Sequence, residues 1–193
     1  EIFIVYHQIT ELYFKLALNE IEQIAHNGKN ISNEGQDLGW KNRLELDFFI
    51  ARVKRINNYF EALSKSFGIM VHGMEKEQFL KFRMSLLPAS GFQSAQYRMI
   101  EICTTDINNL TQKDIRESLK GKPISEQAQH FYWMEGSIEV ETGKKTQMLE
   151  NFEKKYMEQF IQTAEAYKGK NLLAKYQSLT AKEQQNEVLI TEL

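Results

Sequence analysis

One stretch limits the architecture of this chain more than any other. Leu46, Phe49, Val53, Ile56, Phe60, Leu63 and Phe67 alternate steps of three and four residues, and only an α-helix returns such positions to one face. A second helix precedes it over residues 1–26. There Ile2, Val5, Ile9, Leu12 and Leu16 form one apolar stripe, while Phe3, His7, Phe14, Leu18 and Ile21 form another on roughly the opposite side. A helix that is apolar on two sides is expected to lie between neighbours.

Punctuation along the chain supports long helices. Ten glycines and two prolines in 193 residues are about half the usual share, which argues against a turn-rich β protein and against disorder. Residues 26–40 hold Gly28, Gly35 and Gly39 among Asn and Ser, so they read as a loop without strands. Gly68 and Gly73 bracket an expected break. A third helix follows over 75–87, stopped by Pro88 because the residue before proline is pushed out of helical geometry. Further helices are expected over 92–106, 125–135 and 146–167. Thr111 and Asp114 read as a capping box opening a short helix, and Thr180 and Glu183 as another. The expected fold is all-α, a multi-helix bundle, with residues 1–193 forming a single helical domain.

Charge and residue usage narrow the function. A formal net charge of −2 provides no field to attract nucleic acid. No apolar run approaches the roughly 18 residues of a membrane span, so no membrane partner is expected. The lone Cys103 excludes an internal disulfide and a cysteine-built zinc site, and it fits a reducing, cytoplasmic location. The four histidines, His7, His26, His72 and His130, show no metal-ligand spacing, so no protein-only metal site is expected.

Two pairs at helical spacing could carry chemistry. Phe3 and His7, one turn apart, would present a ring and an imidazole to the same planar ligand; a core histidine bonded to a backbone carbonyl is the alternative. Phe79 and Arg83 repeat the spacing on the third helix. A guanidinium on that apolar stripe requires an answering anion, either a protein carboxylate or a ligand.

The run Phe82-Arg83 through Leu87-Pro88-Ala89-Ser90-Gly91-Phe92-Gln93-Ser94, then Gln96-Tyr97-Arg98 and Ile100-Glu101, resembles the signature of the tryptophan 2,3-dioxygenase family. The opening Phe3-Ile4-Val5-Tyr6-His7-Gln8 resembles that family's N-terminal motif. The resemblance implies an all-α haem enzyme that inserts O2 into the indole ring of L-tryptophan to give N-formylkynurenine, in tryptophan catabolism by the kynurenine pathway. It implies a cytoplasmic homotetramer. By matching position it assigns Phe3 to the wall against the indole and His7 to the distal side of the haem, bonded to the indole N–H. It assigns Arg83 to the substrate carboxylate, Phe79 to the lining of the same pocket and Ser90 to the haem edge.

The family's proximal histidine and the Gly-Thr-Gly-Gly loop after it have no counterpart in these 193 residues, and neither His72 nor His130 has matching neighbours. The sequence is therefore expected to be the ordered part of a longer chain, without the C-terminal segment that ligates haem. The alternative is a haem-free helical module that binds an indole amino acid without turnover.

Overall fold

A computed structural model describes residues 2–77, 80, 94–138 and 144–192. In chain order its elements are α1 (Ile2–Ala25), β1 (Lys29–Ile31), β2 (Asp37–Trp40), α2 (Leu46–Gly73), α3 (Ala95–Thr104), α4 (Arg116–Leu119), α5 (Ile124–Gln127), α6 (Gln147–Tyr167), α7 (Leu172–Gln177), α8 (Ala181–Gln184) and α9 (Glu187–Glu192). Short 3-10 turns lie at Ile107–Leu110, Ala128–His130 and Tyr132–Ser137. The fold is all-α apart from one small hairpin. The chain divides into two compact units, Glu1–Gly73 with Gly169–Leu193, and Met74–Lys168.

The first unit is built on an antiparallel pair. Tyr6 reaches the Leu63 carbonyl at 3.4 Å, the Phe14 and Phe60 rings lie 6.1 Å apart, and Glu20 accepts from Arg52 at 2.7 Å. These contacts step down α1 as they step up α2. Ala17, Ile21 and Ile24 of α1 and Phe49, Val53, Ile56 and Leu63 of α2 form the buried side. Leu179 and Leu189 from the C-terminal segment join this core. Thr180 and Glu183 form the expected capping box, each side chain satisfying the other's backbone N–H.

Three expectations change in this unit. The first apolar stripe of α1 is not covered: Val5, Ile9, Leu12 and Leu16 are exposed, Leu12 to 63%. α2 can meet only one face of α1, and that face takes Ile21 and its neighbours. Gly68 does not break α2, which continues to Gly73; glycine costs a helix interior only about 1 kcal/mol, too little to end so long a packed helix. The region read as a loop contains a hairpin, with Lys29 opposite Trp40 and Ile31 opposite Asp37.

The hairpin's entry is specified by backbone chemistry. Gly28 N–H donates to the Gln23 carbonyl and Asn27 N–H to that of Ile24, with Asn27 in the left-handed region at φ 62°. This is a Schellman C-cap with Asn at the turning position. Gly28, at φ 82°, lies so close to Phe48 that an added Cβ would fall 2.8 Å from the ring.

The second unit is aromatic. Phe131 and Trp133 stack at 5.5 Å, and Trp133 meets Phe152 and Phe160 of α6 edge-on at 5.6 and 6.3 Å. Met99, Ile100, Ile102 and Cys103 of α3 are also buried. α6 is close to expectation, opened by Thr146, whose side chain accepts from Leu149 N–H. Residues 125–135 are not one helix. Phe131 leaves helical geometry, bridges to Thr111 and is fully buried, and placing its ring in the core interrupts the helix. Thr111 is not a cap; its hydroxyl donates to the Asn108 carbonyl at 2.7 Å, and α4 starts after Ile115 without a side-chain cap.

Candidate functional site

The N-terminal pair is formed as its spacing requires. The Phe3 and His7 rings lie 4.0 Å apart, tilted by 35°, and His7 Nδ1 is 2.7 Å from the Phe3 carbonyl oxygen. A carbonyl can only accept, so the neutral imidazole carries its proton on Nδ1 and presents Nε2 as an acceptor. The tether is local, one turn of α1, and His7 is exposed while Phe3 is half-buried. Tyr6 stands edge-on to His7 at 5.9 Å and ties this turn to α2 through Leu63 and the Phe67 ring. The backbone-bonded histidine and the ligand-facing ring are thus one arrangement: the carbonyl bond orients the imidazole, and the other nitrogen keeps its lone pair. A polarised N–H on a flat aromatic ligand is the group this pair can receive.

Phe79, Arg83 and Ser90 lie outside the described residues, as do Pro88 and most of the stretch expected as a helix over 75–87. The described half of the same run begins at Ser94, whose hydroxyl caps α3 by accepting from Tyr97 N–H at 3.1 Å. One turn on, Arg98 is 4% exposed. It donates to Glu101 at 2.5 Å and to the Tyr132 hydroxyl at 3.1 Å, and Tyr132 in turn donates to the other Glu101 oxygen at 2.5 Å. The guanidinium also lies over the rings of Tyr97 and Trp133, at 5.2 and 5.4 Å. Burial, and then the Glu101 carboxylate beside it, raise the Tyr132 hydroxyl above its ordinary value, so the phenol is held neutral as a donor. The sequence marked Arg98 and Glu101 only as parts of a motif. Tyr132 was missed because its partners lie more than 30 residues away.

The remaining histidines enter neither arrangement. His26 stacks on Trp40 at 4.6 Å and meets the Glu22 carbonyl through Nδ1 at 3.0 Å. His72 is exposed near the end of α2, and His130 is half-buried in a 3-10 turn. Among the described residues, no three His, Cys, Asp or Glu side chains group to hold a metal ion, and no helix is long and apolar enough to cross a membrane. The tethered His7 beside Phe3 would suit the substrate side of a haem. His26, His72 and His130 do not match the axial ligand's motif, and no described residue is assigned to the iron.

Comparison with known proteins adds to this geometry. The family model described as Tryptophan 2,3-dioxygenase matches residues 1–190. A tryptophan 2,3-dioxygenase of Alteromonas mediterranea is 31% identical over 63% of this chain and 35% of its own length. One from Ruegeria sp. is 37% identical over 52% of the chain and 31% of its own length. That of Xenopus laevis is 36% identical over 52% of the chain and 23% of its own. The chain thus spans about a third or less of the curated relatives it matches. No solved structure matches.

Proposed function

We propose, from the premise that this chain belongs to the tryptophan 2,3-dioxygenase family, that it serves a haem-dependent dioxygenase of L-tryptophan. Both atoms of O2 would be inserted across the pyrrole double bond, giving N-formylkynurenine. Haem, where bound, supplies the oxygen activation. The chain's own part is to bind and orient the amino acid. The observation that carries the reading is the Phe3–His7 pair, with Nδ1 committed to a backbone carbonyl and Nε2 left to accept. In this role Nε2 accepts from the indole N–H, and the Phe3 ring packs against the indole face.

By motif position, Arg83 pairs with the substrate carboxylate, for which a planar guanidinium is suited. Phe79 lines the same pocket and Ser90 lies at the haem edge. Homotetrameric assembly, a cytoplasmic location and a place in tryptophan catabolism belong to the same proposal. A second reading is a haem-free helical module that binds an indole amino acid without turnover, with the same Phe3–His7 pair as its binding site.

Kinetics separate these readings. Arg83→Ala raises the KM for L-tryptophan about 10-fold or more with a smaller change in kcat, because a ground-state ion pair is lost. An unchanged KM removes Arg83 from the proposal. His7→Ala leaves measurable turnover if His7 only positions the indole, and abolishes it if His7 must take the proton. L-Tryptophan binding without any turnover in haemin-supplemented protein supports the second reading.

A further inference from the structure

Tyr6 stands between Phe3 and His7 in the N-terminal motif, yet the proposed function gives it nothing to do. Two bonds that shape this turn are internal to α1. His7 Nδ1 meets the Phe3 carbonyl oxygen at 2.7 Å, and the Thr10 hydroxyl donates to the Tyr6 carbonyl at 3.0 Å; each joins residues four apart, so each moves with the helix. Fixing Nδ1 settles the tautomer, but it leaves the tilt of the imidazole, and with it the direction of Nε2, to whatever touches the ring. Two rings do. Phe3 lies 4.0 Å away with its plane 35° from that of His7, and Tyr6 lies 5.9 Å away at 79°. Contacts in two such different planes oppose rotation of the imidazole in two directions. Phe3 belongs to the same turn, whereas Tyr6 is anchored across the unit. Its hydroxyl donates to the Leu63 carbonyl at 3.4 Å, Ser66 Oγ lies 3.5 Å from it, and its ring meets Phe67 edge-on at 6.4 Å. All three are on α2, 57 residues or more along the chain. Tyr6 is half-buried where Ile4, Val5 and Ile9 are exposed, so it supplies packing that they do not.

We propose that Tyr6 is a positioning residue for the acceptor of the ligand's ring N–H: anchored on Leu63 and Ser66 of α2 and edge-on to His7, it sets the direction in which Nε2 points. The inference rests on the reading that Nε2 accepts from the indole N–H. Its ligand class is a fused-ring aromatic α-amino acid that carries an N–H donor on the ring. A hydrogen bond weakens steeply as its angle falls away from linear. A small rotation of the imidazole therefore costs affinity for the N–H while it leaves the packing of Phe3 on the ligand's face in place.

The test is equilibrium binding, to the protein as isolated, of L-tryptophan and of its benzothiophene analogue, in which sulfur replaces the ring N–H at nearly the same size. Wild type, His7→Ala, Tyr6→Phe and Tyr6→Leu are compared, with a thermal midpoint for each. The preference is the ratio of the two affinities, taken relative to the same ratio in His7→Ala, which has lost the acceptor. Wild type prefers L-tryptophan about tenfold by this measure, the effect of a single hydrogen bond. Tyr6→Leu, which loses ring and hydroxyl, lowers the preference about threefold or more, while affinity for the benzothiophene analogue stays within about twofold. Tyr6→Phe, which loses the hydroxyl alone, shifts it in the same direction by a smaller factor. A loss confined to Tyr6→Leu upholds the role through the ring contact. A preference unchanged in both Tyr6 variants, with His7→Ala losing it, overturns the positioning role alone. An equal loss for both ligands, or a loss seen only with a collapsed thermal midpoint, overturns it too, since Tyr6 would then be merely structural. If wild type and His7→Ala show the same ratio, or wild type binds neither ligand, the acceptor reading itself fails.

Discussion

The two units hold their motif residues by different means. In the first, Phe3 and His7 ride on the opening turns of a long helix, fixed by a backbone carbonyl one turn away and by Tyr6 reaching across to α2. Beside them the apolar stripe of α1 is open to solvent. In the second, Arg98 is enclosed by rings and answered by a carboxylate and a phenol. The residues proposed to meet the ligand are locally tethered, with His7 exposed and Phe3 half-buried. Arg98 is buried and bonded to Tyr132, 34 residues away.

Truncation should expose that difference most strongly in the aromatic unit. Trp133→Ala removes a buried ring that meets Phe131, Phe152 and Phe160, and it should cost about 3–5 kcal/mol in denaturant unfolding. A loss below about 1 kcal/mol would contradict the enclosed core. The first unit has its own buried charge. Glu20 accepts from Arg52 at 2.7 Å and from Tyr59 at 3.4 Å, with Arg55 3.6 Å away. Arg52→Ala should cost about 2–3 kcal/mol, because it strips the nearest partner from a buried carboxylate. The double variant with Glu20→Gln should cost less than the two single losses added together.

Smaller effects sharpen the contrast. Thr180→Ala removes half of the capping box and should cost about 1 kcal/mol. Leu12→Ser, on the open stripe of α1, should change the unfolding free energy by no more than about 0.5 kcal/mol; a large loss would mean that the stripe is covered.

Alkaline titration tests the Arg98 network by its sign. The Tyr132 value is raised on folding, by burial first and then by Glu101. Its contribution is therefore fully present below the ordinary tyrosine value near 10.0 and is lost as pH rises through the higher folded value. Tyr132→Phe should abolish that alkaline loss, as read from thermal midpoints across the range. An unchanged alkaline profile would remove Tyr132 from the network.

Legibility in the sequence followed the same division. The helices α1 and α2, though not their pairing, were readable because apolar residues repeat with the helical period, as buried Phe49, Val53, Ile56 and Leu63 of α2 show. The Thr180 capping box was readable because all its chemistry lies within four residues. The Phe3–His7 contact was readable for the same reason, being a single turn. What escaped depended on distance or on the absence of a buried face. Strand β1 and strand β2 are short and largely exposed, so no alternation of apolar residues marked them. Phe131 leaves its helix for a core that its neighbours in sequence do not reveal. Tyr132 meets Arg98 across 34 residues, and no local pattern encodes such a pairing.

The central claim is that this chain serves oxygen insertion into L-tryptophan, and isotope labelling tests it most directly. Haemin-supplemented protein is incubated with L-tryptophan under oxygen-18 gas, and the product is read by mass spectrometry. The account predicts N-formylkynurenine carrying both labelled atoms, one on each carbonyl formed when the ring opens. A product carrying one label, or L-tryptophan bound and recovered unchanged, would contradict it.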